Sequence, residues 1–180
     1  IIPINELHAL YEAFPLTNSV SLRRKNILGL LVYHALTCRE VPIIKVCDIR
    51  FNEGKLNVPK LKRSNERLLK LDAIQVVLLQ RYILERQLQK DDYLFPELYA
   101  ESQRGISRNY FYWLFVEIKK LNPKVINNQV IRNSVLAHWT MNYDIRIVQY
   151  MAGHKWLNST QRYDMESLET LQTEIEKMHP

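Results

Sequence analysis

Two arginines, a lysine, a histidine and a tyrosine stand in this chain at spacings that could form one reaction site. The run Gln129-Val130-Ile131-Arg132 is followed by Gly153-His154, and Tyr163 comes nine positions after His154. Upstream lie Arg39, in Thr37-Cys38-Arg39, and Lys62, inside a basic stretch with Lys60 and Arg63. The set holds no paired carboxylates and no His/Cys/Asp/Glu spacing suited to a metal. Its chemistry suits a phosphodiester. A guanidinium is a planar fork of donors that matches two phosphate oxygens. Two such forks would stabilise the added negative charge of a pentacoordinate phosphorus. A phenol with a pKa of about 10 is ionised roughly once in a thousand molecules at neutral pH. Cationic neighbours and a base must therefore supply about 4 kcal/mol to make Tyr163 a nucleophile. A lysine on a turn can protonate the departing 5′ oxygen if nearby cations lower its pKa.

These residues need elements to hold them. Glycine is scarce, with 4 in 180 residues, and the apolar spacing is mostly helical. Helices are expected over 4–14, 21–36, 73–89, 107–121, 128–141, 144–151 and 158–165, with a polar tail helix over 166–178. Asp72 is placed as an N-cap. A short helix is expected after Arg39. Strand-like runs at 46–51, 55–59 and 67–71 predict one small antiparallel sheet, with Asn52-Glu53-Gly54 as the first turn and 61–66 as the second. The expected fold is mainly α with a small three-stranded antiparallel β-sheet, an α+β domain. Lys62 then sits on a strand-to-strand turn, Arg39 after a helix, and Arg132, His154 and Tyr163 on or beside the last helices.

The length of 180 residues fits one domain. The chain opens Ile1-Ile2-Pro3 and reads as a fragment of a longer protein. A net charge of +6 and a pI near 9.3 favour a polyanionic partner, nucleic acid first. No apolar run is long enough to span a bilayer and no signal peptide is visible. Cys38 and Cys47 show no ligand pattern and read as small buried residues in a reducing cytoplasm. The run Tyr110–Phe115 reads as core rather than a base-stacking platform. Trp156 reads as a cover for the site or as packing under the Tyr163 helix. His8, His34, His138 and His179 read as structural or surface residues.

In this order the motifs resemble the catalytic domain of the tyrosine recombinase, or phage-type integrase, family. Arg39 falls where the family's first arginine follows a helix and turn. Leu56–Leu71 (LNVPKLKRSNERLLKL) resembles the family's β-hairpin and puts Lys62 at the catalytic lysine, with Lys60 as the neighbouring alternative. Gln129–Ala137 (QVIRNSVLA) resembles the H-x-L-R-H-S-F-A box, so Arg132 matches the second arginine. Val148–His154 (VQYMAGH) and Ser159–Tyr163 (STQRY) match the segments of the second histidine and the nucleophile. The resemblance implies attack by Tyr163 on DNA, a 3′-phosphotyrosyl link and rejoining, without cofactor, metal or ATP. Arg39 and Arg132 would hold the phosphate, Lys62 would protonate the leaving oxygen, and His154 would support the transition state. Lys60, Arg63, Asn133 and Lys155 would contact the DNA. The resemblance also implies double-stranded DNA as partner, a homotetramer on two duplexes (the isolated domain being a candidate monomer), a tail at 166–178 exchanged between protomers, and an N-terminal DNA-clamping domain absent from this chain. A cytoplasmic, DNA-associated protein of bacterial or phage origin is expected.

Three departures stand out. Gln129 occupies the position of the box histidine and cannot transfer a proton. Asn133 replaces the histidine after Arg132. Pro42 stands three places after Arg39, where an acid is common, although Glu40 is near. Two competing readings follow: a DNA-binding accessory protein with impaired catalysis, and a type IB topoisomerase-like enzyme. Singly, each residue has a plainer role. Arg39 could cap a helix end, Arg132 could pair with a surface acid, His154 could cap a helix, and Tyr163 is one of 10 tyrosines. The ordered spacing is what lifts them.

Overall fold

α2 (Ser19–His34) is the axis of the molecule, buried along nearly its whole circumference. The computed structural model describes residues 1–97 and 104–163. The α2 helix begins at Ser19, two positions earlier than its apolar pattern suggests, because the side chain of the N-cap Asn18 accepts from the Ser21 N–H at 2.9 Å. Leu22, Ile27, Leu30 and Leu31 are almost fully enclosed. Truncating any one of them to Ala would cost about 2–5 kcal/mol. Because α2 is surrounded, its polar side chains find internal partners. Asn26 donates to the Leu78 carbonyl at 3.1 Å, and His34 Nε2 lies 3.0 Å from Gln75 Oε1. Burial pushes the His34 imidazole down to about 4, so it is neutral.

Around this axis pack α1 (Ile4–Ala13), α3 (Ala73–Arg86) and α5 (Asn128–Asn142), with α4 (Arg108–Leu121) against α1 and α6 (Ile145–Ala152) against α5. Asp72 flanks the start of α3, and Asp144 caps α6 by accepting from the Arg146 N–H. Residues 158–163 are helical, and the expected tail helix at 166–178 lies outside the described residues.

The sheet is three-stranded and antiparallel in the order β1 (Ile49–Arg50), β2 (Lys55–Val58), β3 (Arg67–Lys70). Ile49 faces Leu56, Leu56 faces Leu69, and Val58 faces Arg67. The first strand is shorter than the 46–51 run suggested. Val46–Asp48 winds into a 3-10 turn because the Val46 and Cys47 N–H groups bond the carbonyls of Asp92 and Lys90 instead of a strand. The short helix after Arg39 is a single 3-10 turn, Val41–Ile43.

Several burial expectations need correction. Cys47 is exposed and Cys38 half-buried. In the aromatic run Phe111, Leu114 and Phe115 are core, whereas Tyr112 and Trp113 face outward, because the 3.6-residue turn cannot bury them all. Trp156 is 75% exposed and neither covers the site nor packs beneath the last helix. No described helix is long and apolar enough to cross a membrane.

Candidate active site

Four segments meet at a cleft of about 710 Å³: residues 37–40 after α2, the β2–β3 turn at 61–64, the first turns of α5, and Gly153-His154 after α6. Arg39, Lys62, Arg63, Gln129, Arg132 and His154 all line it. Lys60, Asn133, Lys155 and Tyr163 do not.

Arg132 is the most constrained of these side chains, at 7% exposure. Its Nη1 donates to the Ala35 carbonyl and its Nη2 to the Ala152 carbonyl at 2.8 Å. Ala35 is the C-cap of α2 and Ala152 the last residue of α6, so two helix C-termini aim their negative ends at one guanidinium. Ala35 reaches this pose with φ of 50°, in the left-handed region. Burial lowers the Arg132 pKa, with Glu40 opposing, and the group remains cationic. Its Nη2 also lies 3.1 Å from His154 Nε2.

His154 is pushed down to about 4, chiefly by burial and then by the charges of Arg132 and Arg67. Its ring is therefore neutral at pH 7. Nδ1 lies 2.9 Å from Thr160 Oγ1. The ring stacks on that of Tyr163, with centroids 6.0 Å apart and planes 14° from parallel. Tyr163 is 3% exposed, one ring behind the cleft wall, and the Arg162 guanidinium stands 5.5 Å from its centroid.

Lys62 sits on a tight turn closed by reciprocal Leu61–Ser64 backbone bonds of 3.1 and 3.3 Å. The turn is tethered to the loop after α6. The Asn65 N–H donates to the Gly153 carbonyl at 2.9 Å, and Lys155 Nζ donates to the Lys62 carbonyl at 2.7 Å. Lys155 thus braces the turn by its backbone. Arg39 is exposed, and among the described residues nothing bonds its guanidinium. Gln129 Nε2 donates to Asn133 Oδ1 at 2.5 Å, so these two residues are paired across one helical turn. Lys60 and Arg63 are both exposed, Lys60 outside the cleft.

The residue-by-residue reading missed Arg67. It is buried, with its Nη1 donating to Glu40 Oε1 at 2.7 Å and its Nε to the Met151 carbonyl at 2.8 Å. Glu40 in turn accepts from the Thr37 N–H at 2.9 Å and hydroxyl at 3.0 Å. Burial works to raise the Glu40 carboxyl, but the charge and hydrogen bond of Arg67 outweigh it, and the pKa falls. This pair ties the Arg39 segment, β3 and the approach to His154 into one frame. Gly153 completes it: φ is 70°, and a Cβ there would lie 2.4 Å from Arg67 Nη1. A signal for Arg67 existed, since period two places it on the same face as the buried Leu69. Among the described residues no group of three His, Cys, Asp or Glu side chains is placed to hold a metal ion.

The phage integrase family model matches residues 2–169. The chain is 29% identical over 161 residues to the tyrosine recombinase XerA of Pyrococcus horikoshii, an alignment covering 87% of this chain and 55% of that protein. It is 26% identical over 189 aligned residues to the tyrosine recombinase XerD of Xanthomonas campestris, covering 98% and 58% respectively. The chain thus spans between half and three-fifths of the length of these relatives. Solved structures that share its fold include two recombinases. One is XerA recombinase, with a TM-score of 0.73 at 22% identity, covering 99% of this chain and 63% of that one. The other is the post-cleavage complex of XerH recombinase with a palindromic difH substrate, with a TM-score of 0.76 at 20% identity, covering 97% and 52%. The motifs, the mainly helical fold with its three-stranded sheet, and the match over residues 2–169 agree: the chain belongs to the phage integrase family.

Proposed function

We propose that this chain is the catalytic domain of a site-specific DNA recombinase that breaks and rejoins strands through Tyr163. The observation that carries the reading is the convergence of Arg39, Lys62, Gln129, Arg132 and His154 on one cleft, with Tyr163 stacked on His154. Arg132, held by two helix C-termini, presents its guanidinium to the scissile phosphate, and Arg39, which lines the same cleft, supplies the second guanidinium. The Tyr163 oxygen attacks phosphorus with loss of its phenolic proton to water, and His154, stacked on Tyr163 and beside Arg132, supports the transition state. The 5′ oxygen leaves with a proton from Lys62. The resulting 3′-phosphotyrosyl ester keeps the bond energy, so a 5′-hydroxyl of a second strand can reverse the step without ATP or metal. Gln129 would hydrogen-bond a phosphate oxygen. Exposed Lys60 beside the cleft and Arg63 on its wall would contact the DNA backbone, with double-stranded DNA the partner and a tetramer on two duplexes the working assembly.

The test is a suicide substrate carrying the cognate site. A covalent protein–DNA adduct that vanishes in Tyr163→Phe supports the reading. One observation favours a second reading, a DNA-binding accessory protein: Gln129 cannot carry a proton and is already paired with Asn133. Salt-sensitive DNA binding with no adduct would select that alternative.

A further inference from the structure

The geometry points to Thr160 as a positioning residue for this reaction: its buried hydroxyl holds the His154 ring with the proton on Nδ1 and the lone pair of Nε2 turned to Arg132. The inference rests on the recombinase reading for its catalytic consequence, but the hydrogen-bond logic stands apart from it. Arg132 Nη2 is 3.1 Å from His154 Nε2. A guanidinium carries only donors, so Nε2 must be the acceptor and cannot carry a hydrogen. A neutral imidazole then has its hydrogen on Nδ1. That nitrogen lies 2.9 Å from Thr160 Oγ1, which therefore accepts.

Thr160 is fully buried, so bulk water cannot stand in for its hydroxyl. It also lies on the helical segment that carries the nucleophile, three positions before Tyr163, which puts the two on neighbouring positions of one helix surface. The Thr160 backbone N–H bonds the Leu157 carbonyl at 2.8 Å, fixing the first turn of that segment. One hydroxyl thus joins the phosphate-binding arginine, through His154, to the helix of the attacking tyrosine. A hydroxyl is also the partner that tolerates change. When a phosphate oxygen draws Arg132 away and Nε2 becomes free to take a proton, Thr160 can go on accepting from Nδ1–H. A side chain of the same shape without oxygen would leave Nδ1–H buried and unpaired.

Thr160→Val preserves shape and removes the oxygen, and Thr160→Ser restores it. Two readouts separate this inference from the recombinase reading. The first is nitrogen NMR of ¹⁵N-histidine-labelled protein, with His154 assigned by His154→Gln. Wild type is expected to show protonated Nδ1 and bare Nε2, and Thr160→Val to lose that single pattern. The second is the rate of covalent adduct formation on the suicide substrate. Thr160→Val is expected to slow it about tenfold to a hundredfold, and Thr160→Ser to stay within about threefold of wild type. Protonated Nε2 in wild type overturns the inference, even if Thr160→Val fails to fold. So does a Thr160→Val protein whose tautomer and adduct rate both match wild type. An absent adduct in wild type would refute the recombinase reading and leave the NMR result to decide the role of Thr160.

Discussion

Replacing Arg67 by Met should cost far more stability than an exposed Arg→Met change, and the deficit should depend on pH in a defined direction. Arg67 and Glu40 form an ion pair at 2.7 Å with side chains 0% and 1% exposed. Removing one partner leaves a buried carboxylate facing only the Thr37 N–H and hydroxyl. Breaking such a pair costs about 3–5 kcal/mol. For a domain of this size each kcal/mol lowers Tm by about 2–4 °C, so the expected drop is roughly 6–20 °C. Glu40 has a lowered pKa in the folded protein. Its contribution is present above the ordinary Glu value of about 4.3 and is lost as pH falls through the lower folded value. In Arg67→Met burial prevails and Glu40 takes up its proton more readily. The gap between variant and wild type should therefore be widest near pH 7, begin to narrow above about 4.3 as Glu40 takes up its proton in the variant, and narrow further below about 4.3 as wild type loses its own contribution. Urea unfolding at several pH values measures this, with Glu40→Gln and the double variant completing a cycle. The double variant should be less destabilised than the sum of the singles by at least about 1.5 kcal/mol. A loss below about 1 kcal/mol for Arg67→Met, or strict additivity, would refute the claim that this pair frames the site.

Three further outcomes follow from the same geometry. Gly153→Ala adds a Cβ 2.4 Å from Arg67 Nη1 at a left-handed φ, and should lower stability by about 2 kcal/mol or more in thermal unfolding. Ala35→Gly relieves the left-handed strain at φ 50° while keeping the carbonyl on Arg132; thermal unfolding should show a gain of up to about 1 kcal/mol. Gln129→His, on the cleft wall, should keep or raise the rate of adduct formation, and complete loss would mean that the cleft works differently.

The chemistry-bearing types and their spacing were legible in the chain, because Gln129–Arg132, Gly153-His154 and Tyr163 lie on neighbouring local elements whose periods and caps are local properties. The helices were legible for the same reason, with no described end off by more than three residues. The sheet was legible through its turns, but β1 shrank to Ile49–Arg50 because Val46 and Cys47 found their acceptors in the loop after α3, more than 40 residues away. Non-local partner choice also explains what stayed hidden at the site. Nothing local marks Arg67 and Glu40 as a pair, since they are 27 positions apart in the chain and meet only where β3 packs beside α6 and the segment after α2 comes up to it. Nor could the tautomer of His154 be read from its neighbours in the chain, because it depends on a donor 22 positions upstream on α5. The sequence alone determined which groups could act on a phosphodiester. Tertiary structure decided which line the cleft, which brace it and which, like Tyr163, wait one ring behind it, because burial and hydrogen-bond partners are set only when distant segments pack.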